Sequence, residues 1–114
     1  MNEFTEKRLL YRELLRDYPD DEEALHAVAY ISRNMERWLE SSQAYRRLEK
    51  LSPGRFVIQA NLMSNEFSQG HYSEVLNILE HYKTIFMQYK RYKIMRLYCM
   101  KIVLYCSRIF STSL

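Results

Sequence analysis

Apolar side chains recur along this chain at intervals of three and four residues, the spacing that puts them on one face of an α-helix. The first such stripe, within residues 5–17, includes Leu9, Leu10, Leu14 and Leu15. The same spacing predicts further helices over residues 22–34, 37–51, 55–68, 71–86 and 90–110. We therefore expect an all-α fold.

Residues that end helices separate these stripes. They are Pro19, Asn34, Pro53 and Gly70, with a further break expected at residues 87–90. Asp20 or Asp21 is placed to cap the start of the second helix. The chain has only two Gly and two Pro residues, too few turn-forming residues for a sandwich, a barrel or a Rossmann-type fold.

The chain contains an internal repeat. The segment Tyr11–Leu14 (Tyr-Arg-Glu-Leu) recurs as Tyr45–Leu48 (Tyr-Arg-Arg-Leu), at an offset of 34 residues. Pro19 recurs as Pro53 at the same offset. A fixed period of this length is typical of proteins built from stacked helix pairs.

Two segments carry a more specific pattern. In Gln69–Leu76 a Gly, a polar residue and an aromatic residue precede an acidic residue and aliphatic residues. Leu25, Val28 and Ala29 form a small apolar face that precedes Tyr45 and the closing Pro53. At these positions the chain resembles the tetratricopeptide repeat (TPR) family, whose repeats are 34-residue helix pairs. Glu36 stands where that family commonly has Gly, Ser41 where it has Ala, and Met87 where the closing Pro would fall.

The resemblance implies an α–α superhelix of antiparallel helix pairs with a C-terminal capping helix. We expect a single domain over residues 1–114. Its parts would be a half repeat over residues 5–19, repeats over residues 22–55 and 56–89, and the last helix over residues 90–110.

Catalytic chemistry is not indicated. The three histidines do not form a close-spaced metal-binding pair, and both glycines are isolated, so no Gly-rich loop can hold a phosphate. The carboxylate run over residues 20–23 is explained by its place at a helix start. We expect no enzyme activity, no catalytic residue, no metal, no cofactor and no small-molecule substrate.

Binding of a protein or peptide is the stronger interpretation. In stacked helix pairs the first helices line a concave surface that suits a peptide or a helix. The side chains expected on that surface are His26, Tyr30, Arg33, Asn34, Asn61, Ser64 and Phe67. Tyr30 and Phe67 are candidate anchors, although Tyr30 has the alternative of covering a neighbouring helix. The two function classes are an interaction scaffold and a small secretion-type chaperone that holds an aggregation-prone partner.

The last helix is a second candidate site. Residues 81–114 contain seven basic residues and no acidic one, whereas residues 1–80 contain 14 acidic and 10 basic residues. The helix is apolar around most of its circumference, which fits either burial within the monomer or an interface with a second copy or another protein. The residues expected at such an interface are Tyr98, Ile102, Val103, Tyr105 and Phe110. A solvated basic face, a membrane surface and nucleic acid are the remaining alternatives, with nucleic acid a minor one.

Cysteine usage and hydropathy bear on location. Cys99 and Cys106 are seven residues apart, about 10.5 Å along a helix, too far for a disulfide that needs its Cα atoms within about 7 Å. We expect buried free thiols and a cytoplasmic location. The segment Ile94–Cys106 includes Arg96 and Lys101 and is shorter than the roughly 20 apolar residues of a membrane span, so we expect no transmembrane helix.

Overall fold

The structure, a computed structural model, describes the backbone of residues 2–112 and the side chains of residues 2–108. These residues form seven α-helices and no β-strand. The helices are α1 (Glu3–Asp17), α2 (Glu22–Asn34), α3 (Trp38–Leu51), α4 (Phe56–Ser68), α5 (Tyr72–His81), α6 (Lys83–Phe86) and α7 (Lys90–Thr112). The predicted all-α class is confirmed.

Local signals account for most of the helix boundaries. The predicted helix ends at residues 17, 34, 51 and 68 are confirmed without change. Of the two predicted caps for α2, Asp21 is the one used, because its carboxylate accepts a hydrogen bond from the Ala24 N–H at 2.8 Å. A side-chain acceptor there satisfies one of the four amide groups that a helix start leaves without a partner.

A tight turn at residues 35–37 joins α2 to α3. Within it Glu36 has a φ of 59°, a left-handed conformation that costs a residue with a Cβ atom about 1–2 kcal/mol. Gly adopts this conformation without that steric cost. The geometry of the turn therefore explains why a Gly suits the position that Glu36 occupies.

The predicted helix over residues 71–86 is wrong at one point, because it is broken at Tyr82 into α5 and α6. Tyr82 has φ −109° and ψ 31°, and its N–H ends α5 by donating to the Ile78 carbonyl. Neither Gly nor Pro marks this break. Tertiary packing accompanies it: Phe86 is fully buried, and its ring packs edge-on against those of Tyr82 and Tyr92.

Backbone contacts divide the chain into two compact units, Met1–Asn65 and Glu66–Leu114, which we call the N-terminal unit and the C-terminal unit. The division falls within α4. The single domain over residues 1–114 and its repeat boundaries stay predictions.

In the N-terminal unit, α2 packs against both α1 and α3. The small and aliphatic residues of α2 make this close packing possible, as the sequence pattern predicted. The buried apolar side chains of this unit are Ala24, Leu25, Val28, Ala29, Ile31, Ala44, Tyr45, Leu48, Ile58, Leu62 and Met63.

A buried polar contact also ties α2, α3 and α4 together in this unit. The Ser41 hydroxyl donates to the Ala29 carbonyl at 2.7 Å and accepts from Asn65 Nδ2 at 2.9 Å. Buried polar groups are stable when they are hydrogen-bonded. These two bonds explain how Ser41 fits a packing position at which the resembled family has Ala.

In the C-terminal unit, α5 packs against α7, and the buried apolar side chains include Val75, Leu79, Phe86 and Cys99. Burial raises the pKa of the Cys99 thiol. Cys106 is exposed, so the prediction of a buried thiol is wrong for that residue. The physical reason is length: α5 has 10 residues and α7 has 23, and the shorter helix covers only part of the longer one.

Candidate functional site

Three of the predicted concave-surface residues converge around one guanidinium group in the N-terminal unit. Arg33 on α2 donates from Nη1 to Asn61 Oδ1 at 2.7 Å and from Nη2 to Ser64 Oγ at 2.6 Å. Asn61 and Ser64 lie almost one turn apart on α4, so both acceptors face the same guanidinium plane. The half-buried Arg33 side chain is held in one orientation by these bonds.

Tyr30 and His26 lie on the same side of α2 as Arg33, because spacings of three, four and seven residues fall on one helix face. Tyr30 is 58% exposed, a large fraction for an aromatic side chain, whereas His26 is half-buried. The predicted residue Asn34 is also exposed, and its Nδ2 donates to the Tyr30 carbonyl at 2.8 Å. Asn34 therefore helps to end α2.

Tyr45 on α3 is buried, and it lies close enough to Arg33 and Tyr30 for both to influence its pKa. Burial raises the pKa of the Tyr45 phenol, the positive charge of Arg33 acts in the opposite direction, and Tyr30 raises the pKa slightly further. Because its pKa is raised above the ordinary value for tyrosine, the Tyr45 phenol is protonated at neutral pH and adds no charge near Arg33.

Phe67 belongs to the C-terminal unit. Its ring lies 5.5 Å from that of Tyr72 and 5.6 Å from that of Tyr98, and the latter two rings lie 5.8 Å apart. Such aromatic groups add packing energy beyond their buried area. A hydrogen bond with Tyr98 raises the pKa of Tyr72. The structure thus places Phe67, a predicted anchor, in an aromatic cluster.

The predicted interface residues of α7 fall into two groups. Ile102 and Val103 are half-buried and line a shallow depression together with Tyr72 and Ser73. Tyr98 and Tyr105 are exposed. Phe110 lies outside the residues whose side chains the structure describes.

One charged cluster was missed by sequence reasoning. Glu40 on α3 accepts two hydrogen bonds from Arg8 on α1 and one from the Ser32 hydroxyl at 2.9 Å. Arg12 and Arg37 lie 3.2 and 3.3 Å from the same carboxylate. Arg8 and Glu40 are 32 residues apart, and no local pattern pairs residues at that separation.

This cluster changes the titration of Glu40. Burial alone would raise its pKa, but the hydrogen bonds from Arg8 and Ser32 and the charges of Arg8 and Arg12 outweigh burial and lower it. Only 20% of the Glu40 side chain is exposed. The carboxylate therefore serves as the counter-ion of a partly buried arginine group.

The described residues contain no group of three or more His, Cys, Asp or Glu side chains placed to hold a metal ion. His71 lies beside a carboxylate, with its Nδ1 2.7 Å from Glu66 Oε2. Across residues 2–112, every helix is too short or too polar to cross a bilayer. No family model, curated protein or solved structure matches the chain.

Proposed function

We propose that this chain is a TPR-like protein-interaction module, and that it acts by binding rather than by catalysis. Its binding face, which we call the Arg33 face, comprises His26, Tyr30, Arg33, Asn61 and Ser64. The observation that carries the proposal is the guanidinium of Arg33, held by Asn61 and Ser64 on the same face of α2 as the exposed side chain of Tyr30. The partner is a peptide or a helix of another protein, and we propose that the complex forms in the cytoplasm.

Preorganisation gives this face its affinity. An arginine that must be ordered on binding loses side-chain entropy, and one already held in place loses less. Two of the five guanidinium N–H groups donate within the chain, which leaves the others for a carboxylate or a backbone carbonyl of the partner. Exposed tyrosines are frequent anchors at protein interfaces. We therefore propose a partner segment with an apolar side chain against Tyr30 and an oxygen acceptor near Arg33.

The test begins with capture of a partner on the immobilised full chain and identification of that partner by mass spectrometry. Its affinity is then measured by calorimetry for the wild type, Tyr30→Ala and Arg33→Ala. We expect each substitution to weaken binding by about 2 kcal/mol, close to thirtyfold. Tyr18→Ala is the matched control, because Tyr18 is equally exposed but lies after α1. Unchanged binding by Tyr30→Ala and Arg33→Ala would contradict the proposal.

A chaperone that holds an aggregation-prone partner is the second candidate function. Exposed apolar side chains on α7, such as Ile94, Leu97 and Leu104, favour it, because such a surface can cover a segment that would otherwise aggregate. In a chaperone the captured partner should aggregate when it is alone and stay dispersed with the chain. Light scattering of the partner with and without the chain separates this role from that of a scaffold.

A further inference from the structure

An exposed stripe runs along α7 on the side away from its buried residue Cys99. All its members are exposed and fall within about 100° of helix circumference. They are Lys90, Ile94, Leu97, Lys101, Leu104 and Tyr105, which we call the α7 stripe. The stripe combines four large apolar side chains with two ammonium groups, and Tyr105 is 65% exposed.

A second exposed stripe, of opposite charge, runs along α1 in the N-terminal unit. It also occupies about 100° of helix circumference. Its members are Glu6, Leu10, Glu13, Leu14 and Asp17, which we call the α1 stripe. Leu10 is 67% exposed, and the three carboxylates border it and Leu14 on the same side of the helix.

The charges of both stripes are available for a partner. Within the described part of the chain, Glu6, Glu13, Asp17, Lys90 and Lys101 take no part in an ion pair. Three of the four basic residues of α1 are paired with other carboxylates, because Lys7 contacts Glu3 and both Arg8 and Arg12 contact Glu40. The fourth, Arg16, lies outside the α1 stripe. The two stripes are therefore complementary in charge, similar in width and apolar at their centres.

We propose that the α1 stripe of one copy of this chain packs against the α7 stripe of a second copy. Leu10 and Leu14 would pack among the apolar residues of the α7 stripe, and the carboxylates of α1 would lie near the ammonium groups of α7. The spacing supports helix pairing, because Ile94, Leu97, Lys101 and Leu104 follow the alternating three- and four-residue intervals of a coiled-coil seam. A lysine within such a seam favours a partner that supplies a carboxylate.

The existence of the α1 stripe favours a second copy of this chain over other possible binding partners of the α7 stripe. A basic apolar helix by itself also suits an anionic membrane surface or a nucleic acid. Neither an anionic membrane nor a nucleic acid would cover the exposed acidic and apolar stripe on α1, since both are negatively charged and repel carboxylates. One contact between two copies covers an α1 stripe and an α7 stripe together. The contact is head-to-tail, so it closes into a ring or continues as a chain of copies.

The test uses charge reversal in the full chain, with association measured by light scattering and sedimentation over a range of concentrations. The variants are Lys101→Glu and Glu13→Lys, both at exposed positions outside the Arg33 face. We expect concentration-dependent association of the wild type and roughly tenfold weaker association of each variant alone, because like charges then face each other. Lys50→Glu, an exposed change on α3, is the control and should associate as the wild type does.

Mixing the two variants gives the decisive result. In the mixture, copies of the two variants can alternate. Each contact then joins either two unchanged stripes or two stripes with reversed charges, and both combinations bring opposite charges together. The mixture should therefore associate as strongly as the wild type. A wild type that stays monomeric at all concentrations would overturn the proposal, as would a mixture no better than its components. Vesicles of phosphatidylserine and a short duplex DNA are the competing probes. Binding to either that is lost in Lys101→Glu, together with a monomeric wild type, would assign α7 to that ligand instead.

Discussion

The guanidinium of Arg8 forms a bidentate pair with the carboxylate of Glu40, with Nε donating to Oε2 at 2.7 Å and Nη2 donating to Oε1 at 3.0 Å. Only 5% of Arg8 is exposed, so its charge is removed from water and depends on this carboxylate. Two parallel bonds of this kind fix orientation as well as distance. The pair joins α1 to α3 and so fixes the first helix on the rest of the N-terminal unit.

Replacing Glu40 by Gln keeps the side-chain volume and removes the counter-charge of Arg8. We expect Glu40→Gln to lower the free energy of unfolding by about 1.5–3 kcal/mol, the range for hydrogen bonds to charged groups. Denaturant titration followed by circular dichroism measures the change. Glu23→Gln, at an exposed position that has no ion pair within the described part of the chain, should stay within about 0.5 kcal/mol of the wild type. Equal effects of the two substitutions would mean that the Arg8–Glu40 pair does not stabilise the fold.

The same pair predicts a pH dependence. The pKa of Glu40 is lowered in the folded protein relative to its ordinary value of 4.5, so the folded state binds this proton less readily than the unfolded state. The resulting stabilisation is complete above the unfolded pKa and is lost as the pH falls through the folded pKa. The difference in unfolding free energy between the wild type and Glu40→Gln should be largest near about pH 6 and decrease toward about pH 2. A difference that is constant over this range would contradict the assignment.

Glu36 predicts a stabilising substitution. Its positive φ of 59° carries a steric cost of about 1–2 kcal/mol for a side chain with a Cβ atom. Glu36→Gly removes this cost but adds freedom to the unfolded chain, which offsets about 0.4–1 kcal/mol of the gain. We expect a net increase in unfolding free energy of about 0.5–1 kcal/mol, measured by thermal and denaturant unfolding. Glu36→Ala keeps the Cβ atom and should show no such increase.

Ala29 tests the packing of α2 against α3. It is fully buried, so a larger side chain would have to displace the residues packed around it. Ala29→Phe should lower the free energy of unfolding by about 1–3 kcal/mol. Ala27→Phe, two residues away at a half-buried position, should cost clearly less. If Ala27→Phe were the more damaging change, the assigned packing face of α2 would be wrong.

Much of the helical architecture was decided by the sequence alone. The ends of α1, α2, α3 and α4 follow from apolar spacing and from nearby Pro and Gly residues. The start of α2 follows from a cap at Asp20 or Asp21, of which the structure uses Asp21. The sequence comparison singled out Glu36 as a position at which the resembled family commonly has Gly, and the structure gives it a positive φ. All these signals act between residues within about four positions of each other, which is why one sequence is enough to detect them.

Tertiary structure decided what depends on residues far apart in the chain. The break at Tyr82 has no local stop signal and accompanies the burial of Phe86. The convergence of Arg33 with Asn61 and Ser64, and of Arg8 with Glu40, required helices some 30 residues apart to pack together. On α7 the apolar residues form an almost complete ring in sequence. The packing of neighbouring helices, chiefly α5, determined which of them are buried and which are exposed. Helix formation is local, whereas the choice of a buried face is made by the neighbouring helix.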